Sequence, residues 1–446
     1  MTRMLARLGA IAVLVWGTLA QAQTKSPDFN GSGQVDFGDF FLFADAFGAQ
    51  QGGTKFNAKF DLDGNGKVDF DDFFLFAKDF GKTFVPQTSQ NDLRSQWSHG
   101  TCTGQGTVRF TASPMGVEDI SAIIPMGLMV DAHVTPIDHQ YYVPKDVSAG
   151  RDRYDVRVPA DGFIVHIQRR TVFVGDVSDP NRTTDDFRLV IEHSCTFWTY
   201  YDLMTQLDQT ILDQTGGGPS KMGPPTLTRI PVKAGQVIGK VGGQTLDVGV
   251  VNGEVTLPGF VVPSHYDREP WKVHTVDPFD AFDEPLKSQL LTLNPRKALP
   301  RGGKIDYDID GRLVGNWFRE NTNAYAGAAG DSRYWSGHLS IVYHAIDTSK
   351  VTVSLGDFNG RSRQFWVKGN APDPATVTAS SGPVKYELVQ IGIGSSGQTF
   401  PGISTAVQGV VLVQMTEDRR LKVEIFPDKT AADVAGFSSA ALIYER

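Results

Sequence analysis

Twelve candidate ligand positions recur at fixed spacing near the start of the chain. Asp28, Asn30, Ser32, Gln34, Asp36 and Asp39 occupy positions 1, 3, 5, 7, 9 and 12 of DFNGSGQVDFGD, and Asp61, Asp63, Asn65, Lys67, Asp69 and Asp72 occupy the same positions of DLDGNGKVDFDD. Ca²⁺ is a hard cation that takes roughly six to eight oxygens, and a loop of this length can wrap them around it. Gln34 and Lys67 would contribute only their main-chain carbonyls, so either side chain is acceptable there. Gly33 and Gly66 stand between them and the preceding ligand, where the loop must turn sharply. Two bound Ca²⁺ are expected. The second loop has four carboxylates at ligand positions and the first has three, so the second is expected to bind more tightly.

Each loop runs into an aromatic segment. Phe40, Phe43, Ala44 and Phe47 recur at helical spacing, as do Phe73, Phe76, Ala77 and Phe80, and Gly48 and Gly81 close the two helices. The repeats align without gaps at an offset of 33 residues. Loop–helix order, Asp at the last ligand position and tandem duplication resemble the dockerin family, over residues 28–81. The resemblance implies two loop–helix units related by near two-fold symmetry, and docking onto a cohesin-like partner. Ahead of the last ligand the chain has Phe37-Gly38 and Phe70-Asp71, where that family favours short polar residues. The aromatic helices could meet such a partner or another domain of the same chain, and most of the stripe is expected to be core.

A second set of chemistry-bearing residues lies in the middle of the chain: His133, Asp138, His139, His193, Asp202 and Asp247. They sit in short alternating runs punctuated by Gly, Pro and Asp, the pattern of β-strands. Three stretches, Ala160-Asp161-Gly162-Phe163-Ile164-Val165, Val190-Ile191-Glu192-His193 with Tyr200-Tyr201-Asp202-Leu203, and AGQVIGKVG followed by Asp247-Val248-Gly249, resemble in order the M23 (lysostaphin-type, LytM-like) metallopeptidase domain. The resemblance spans residues 125–252 and implies a β-fold with a zinc site at one mouth. Residue by residue, that centre does not carry over. His139 stands where the first zinc ligand belongs, but Val143 takes the place of the second, Asp202 replaces a histidine, and Asp247-Val248-Gly249 replaces the H-x-H pair. Catalytic zinc needs three protein ligands and an open position, so a hydrolytic zinc is not expected. His139, His193, Asp202 and Asp247 remain the candidates for any surviving catalysis. The alternative is that the two histidines are hydrogen-bonded partners of the two aspartates in a degenerate site.

The remaining elements frame these sites. Residues 262–285 are aromatic and acidic and read as an extended wrap, and residues 286–293 as a short helix. Beyond residue 300, eight strand-like runs recur at hairpin spacing, which predicts a β-barrel or sandwich. Gly315-Asn316-Trp317 with Arg319 is similar to the opening of a lipocalin-type barrel, which implies Trp317 at the barrel base and a cavity for an apolar ligand. Asp306, Asp308 and Asp310 read as one solvated strand face.

The fold class expected is therefore multidomain and mainly β. A signal peptide (1–22) would precede the dockerin-like module (26–82), a linker (83–105), an M23-like β domain with its wrap (106–295) and a barrel or sandwich (300–446). Arg3 and Arg7, an apolar run and Ala20-Gln21-Ala22 form the secretory pattern. They predict a secreted or periplasmic protein without a lipid anchor or transmembrane segment. Cys102 and Cys195, the sole cysteines, could pair there as a disulfide. A net charge of −8, with 42 Lys+Arg against 50 Asp+Glu, argues against a nucleic-acid partner. Two functions compete. One is calcium-stabilised, non-catalytic binding or assembly at the cell surface, on peptidoglycan or polysaccharide. The other is an extracellular hydrolase, either a metallopeptidase with rearranged ligands or a polysaccharide-degrading enzyme carrying a dockerin.

Overall fold

The computed structural model describes residues 27, 29, 35–53, 55–57, 59–82, 93–98, 102–173, 183–220, 225–394, 397 and 404–446. The secretory segment and the ligand positions Asp28, Asn30, Ser32 and Gln34 lie outside the described residues. The chain separates into two compact units, Met1–Phe84 and Val85–Arg446. Among the described residues no helix is long and apolar enough to cross a membrane.

In the first unit, α1 (Phe37–Ala46) and α2 (Phe70–Asp79) each begin with a capping box. The Asp36 carboxylate accepts from Gly38 N at 2.7 Å, and the Asp39 carboxylate accepts from Asp36 N at 3.0 Å. Asp69 and Asp72 repeat the arrangement on α2. Each box satisfies main-chain donors that a helix start leaves open. Gly48 and Gly81 terminate the helices at φ +84° and +80°, a conformation that favours glycine. Their amides donate to Val68 O (2.8 Å) and Val35 O (2.7 Å), so the two halves exchange equivalent bonds. Between them Phe43 and Phe76 stack at 5.8 Å with Val35 and Val68 in the same buried cluster. The aromatic stripe is only partly core. Phe37, Phe41, Phe70 and Phe74 stay about two-thirds exposed, because a unit this small has too little interior to cover them all.

The second unit is β-rich. Its first half contains β1 (Ile120–Ile124), β2 (Gln140–Pro144), β3 (Tyr154–Arg157), β4 (Gly162–Phe173), β5 (Thr183–Ser194), β6 (Phe197–Met204), β7 (Gln206–Leu207), β8 (Thr226–Val232), β9 (Val237–Val241) and β10 (Leu246–Asn252). Seven of them form one sheet in the order β1-β2-β10-β6-β5-β4-β8, and β3-β9-β7 form a second. Side chains alternate across a strand, so each strand serves two faces. Tyr201, Val248 and Val250 enter a large core with Val156, Ile238 and Val241 of the smaller sheet, while Trp198, Tyr200 and Val251 face the other way. Leu93 and Trp97, inside the stretch read as a linker, cover that second face and are buried. Their apolar side chains win burial that a polar composition average conceals.

Cys102 and Cys195 form a disulfide that closes a loop across 93 residues and ties the start of this unit to the end of β5. Replacing both by serine is expected to lower the stability of the second unit by about 2–4 kcal/mol, measured as a lower denaturant midpoint. An unchanged midpoint would show that the cross-link restrains nothing.

Helices α3 (Gln209–Gln214) and α4 (Leu286–Thr292) punctuate the chain before the last eight strands. These are β11 (Gly315–Arg319), β12 (His338–Tyr343), β13 (Val351–Phe358), β14 (Arg361–Val367), β15 (Val384–Val389), β16 (Gly409–Glu417), β17 (Arg420–Pro427) and β18 (Leu442–Glu445). They close into an antiparallel barrel with neighbours in chain order, which leaves no sheet edge exposed. Alternate residues such as Ile341, Val353, Tyr386, Val411, Val413 and Leu421 meet Trp317 in one buried cluster. These buried side chains occupy that part of the barrel interior, which eight strands leave narrow enough for side chains to fill. A cation on Trp317 is Arg446, stacked 4.1 Å from the ring and donating to Ile309 O and Arg312 O. Asp306 and Asp308 depart from expectation. Both are buried, accepting from Gly259 N and Asn316 N, since main-chain donors in irregular backbone need acceptors. Asp310 alone is exposed and pairs with Arg419.

Candidate functional site

The second unit contains a cavity of about 540 Å³ on the face of the larger sheet that carries Tyr200. Register explains its floor. Asp247 on β10 pairs with Asp202 on β6 and with Tyr141 on β2, so their side chains project to one face. His139 sits just ahead of β2, and Arg170 and Arg188 come from β4 and β5. The lid arrives from far along the chain. Glu269, Trp271 and Lys272 stand at the short helical turn Pro270–His274, inside the stretch read as a wrap. Tyr325 and Tyr334, from the connection between β11 and β12, complete the wall. The cavity is therefore built jointly by the sheet and the barrel.

Each carboxylate of the floor already has a protein cation. Asp138 accepts from Lys272 Nζ at 3.0 Å and from Trp271 Nε1 at 2.8 Å, and lies 3.3 Å from His139 Nδ1. Asp202 accepts from Arg170 at 2.6 Å and from Arg188 at 3.4 Å. Asp247 lies 3.4 Å from His139 Nε2, close enough for an ion pair but not aligned as a hydrogen bond. Arg188 sits in the corner formed by the rings of Tyr200 and Trp271, 4.6 Å from each. Glu269 accepts from Tyr325 at 2.8 Å and lies 3.4 Å from Lys272.

These pairings set the protonation states. Burial alone would discharge His139, but the Asp247 and Asp138 carboxylates outweigh it and hold the imidazolium up to about 9. Burial would also neutralise Asp138, yet Lys272 and His139 keep its carboxyl well below the usual range. Burial opposes the Lys272 charge too, and Asp138 and Glu269 more than compensate. Asp186, behind Arg170, is pushed by burial up to about 7. The His139 pair has a pH signature. Its folded value lies above that of a free imidazole, so its stabilisation is complete below about pH 6.5 and is lost as pH rises through about 9, worth up to about 3 kcal/mol. Thermal melts of the wild type should fall across that window, and those of His139→Gln should be flatter. Parallel curves for the two proteins would remove His139 as the cause.

His133, Asp138, His139, Asp202 and Asp247 all line this cavity, whereas His193 does not. Its ring nitrogens lie 2.9 Å from Asp161 O and 2.9 Å from Thr199 Oγ1, and burial lowers its pKa to about 4. The expected partnership of His193 with an aspartate is replaced by these two contacts, because its position on β5 directs it away from the cavity. Asp202 is paired with arginines and not with a histidine. The expected partnership of His139 with Asp247 is present as an ion pair. Sequence reasoning missed Arg170, Arg188, Glu269, Trp271, Lys272, Tyr325 and Tyr334. The one available signal was Gln168-Arg169-Arg170 inside an otherwise apolar strand.

In the first unit, Asp61, Asp63 and Asp72 bring one carboxylate oxygen each within 4.8 Å of one another, the one such group of His, Cys, Asp or Glu among the described residues. Asp72 Oδ1 accepts from Leu62 N and Asp63 N, Asp61 Oδ2 from Gly66 N, and Asn65 Oδ1 from Lys67 N. Asp69 is turned to its helix cap. Of the first loop, Asp36 and Asp39 are described, both in the cap of α1. The donor set of the second loop is all oxygen, as a hard cation requires.

No model of a known protein family matches the chain, and a search of curated proteins finds no match.

Proposed function

We propose that this is a secreted, calcium-binding multidomain protein that binds cell-surface material, peptidoglycan or polysaccharide, without cleaving it. The observation that carries the reading is the pairing of every floor carboxylate with a protein cation. Lys272, Arg170, Arg188 and protonated His139 take the places next to Asp138, Asp202 and Asp247 that a metal ion would need. Zinc at His139 would have to displace the proton that Asp247 and Asp138 hold there. What remains is a charged cavity with aromatic residues in its walls and the volume of a small-molecule site. Calcium in the first unit is supported by the repeated spacing of oxygen donors, and secretion by the N-terminal pattern and the disulfide.

Metal content by mass spectrometry, together with sedimentation on cell-wall and polysaccharide preparations, tests this reading. About two calcium per chain, no zinc, co-sedimentation and no released sugar or peptide are the expected results. The runner-up, a hydrolase with rearranged ligands, draws on the position of His139 beside Asp247 at the cavity floor. One tightly held zinc, lost together with product release in His139→Ala, would establish it instead.

A further inference from the structure

We infer that the ligand of the shared cavity is an uncharged, extended glycan lying across five strands of the larger sheet. The inference rests on the binding reading above and gives its ligand a chemical class. Register places one side chain from each of these strands in a single row along the cavity floor. Tyr141 on β2 pairs with Asp247 on β10, and Asp247 pairs with Asp202 on β6. Asp202 accepts from Arg188 on β5, and Arg188 pairs with Gln168 on β4. All five residues line the cavity. Neighbouring strands of a sheet lie about 4.8 Å apart, so a row across β2-β10-β6-β5-β4 is about 19 Å long. A ligand that reaches both ends is therefore a chain of several units, not an ion or a single sugar ring.

The row also fixes the chemistry. Its ends are neutral. The Tyr141 hydroxyl and the Gln168 amide belong to partly exposed residues, and among the described residues neither group has a hydrogen-bond partner. Its centre is charged but already matched. Asp247 lies 3.4 Å from His139, and Asp202 holds Arg170 at 2.6 Å and Arg188 at 3.4 Å. An ionic ligand would give up its water without meeting a free counter-charge, which is costly in a partly buried site. A sugar hydroxyl both donates and accepts. It can give to the aspartates, accept from the arginines, and do either at the two ends. Trp271 and Tyr334 stand in the walls, where the apolar faces of sugar rings can lie. An extended peptide fits less well. Peptides join a sheet through the main chain of an edge strand, whereas all five strands here are interior to the sheet.

The probes are β-1,4-linked oligomers of N-acetylglucosamine and of glucose, from monomer to hexamer, titrated calorimetrically into the full chain. In at least one series affinity is expected to rise at least about tenfold with length, levelling off once the row is spanned. Tyr141→Phe and Gln168→Leu, at opposite ends of the row, are each expected to weaken the hexamer about three- to tenfold. The monomer reaches one end at most, so no more than one of the two should affect it. If a variant does not fold, the wild-type length series decides by itself. Affinity independent of length, or a hexamer weakened by fewer than both substitutions, overturns the inference and leaves the binding reading intact. Tighter binding of a tetra-alanine peptide than of any oligomer overturns it in favour of a peptide ligand. Failure of both series to bind, while the protein still sediments with cell-wall material, overturns the inference alone. Absence of any binding overturns the inference and the binding reading together.

Discussion

Asp72→Ala is expected to unfold the first unit while leaving the second intact. Asp72 is fully buried, and its two oxygens accept from three main-chain amides, Leu62, Asp63 and Asp69. One residue thus closes the second loop and caps α2. Bonds from donors to an ionised acceptor contribute about 1.5–3 kcal/mol each, and the truncation leaves buried amides unpaired. The loss of about 4–6 kcal/mol exceeds what a core of this size can spare. Hydrogen exchange across residues 61–79 should change from protected to unprotected in the variant, with residues 102–173 unchanged. Preserved protection would show that the loop closes without Asp72. If calcium occupies the loop as proposed, a chelator should reproduce the same pattern in the wild type, because the clustered carboxylates then repel one another. Asp72→Asn separates the two effects. It keeps an acceptor for Leu62 and Asp63 but removes a ligand charge, so it should weaken calcium more than it weakens the metal-free fold.

Asp138→Asn is expected to cost the second unit about 3–5 kcal/mol. The Lys272 side chain is 6% exposed and its ammonium is held by Asp138 at 3.0 Å, with Glu269 farther off at 3.4 Å. Removing the Asp138 charge leaves a buried ammonium undercompensated, and removes one of the two carboxylates that keep His139 protonated. The same variant should therefore lower the His139 pKa, which histidine ring NMR can follow. A second substitution, Lys272→Met, removes the orphaned charge, and the double variant should recover a large part of the lost stability. Additive losses in the double variant would mean that the pair is not coupled, and that the Trp271 bond to Asp138 carries the effect.

Several features of this protein follow from local chemistry alone. The spacing of Asp61, Asp63 and Asp72 brings their carboxylates together, because a glycine-turned loop of fixed length leaves them few other arrangements. The same loops start helices, since Asp at the cap and three residues later satisfies the same amides in any context. Gly48 and Gly81 end those helices for an equally local reason, their left-handed backbone. Eight strand-like runs beyond residue 300 correspond to the eight strands of the barrel, because alternation of apolar and polar residues is a property of the strand itself. Two cysteines left one pairing to consider, and it is formed.

The cavity depended on the tertiary structure. His139 and His193 look alike in sequence, yet register directs one into the cavity and the other to Asp161 and Thr199. Arg188 and Trp271 are 83 positions apart in the chain and stack at 4.6 Å. Arg446 reaches Trp317 from the last position, while nearby Arg319 points outward. Leu93 and Trp97 look like linker residues until a sheet face needs covering. The amino-acid sequence by itself determined the loops, caps, strands and disulfide, whose forces act over a few bonds or admit one partner. Only the tertiary structure decided which charges meet, because a carboxylate takes whichever buried cation the packing brings within about 4 Å.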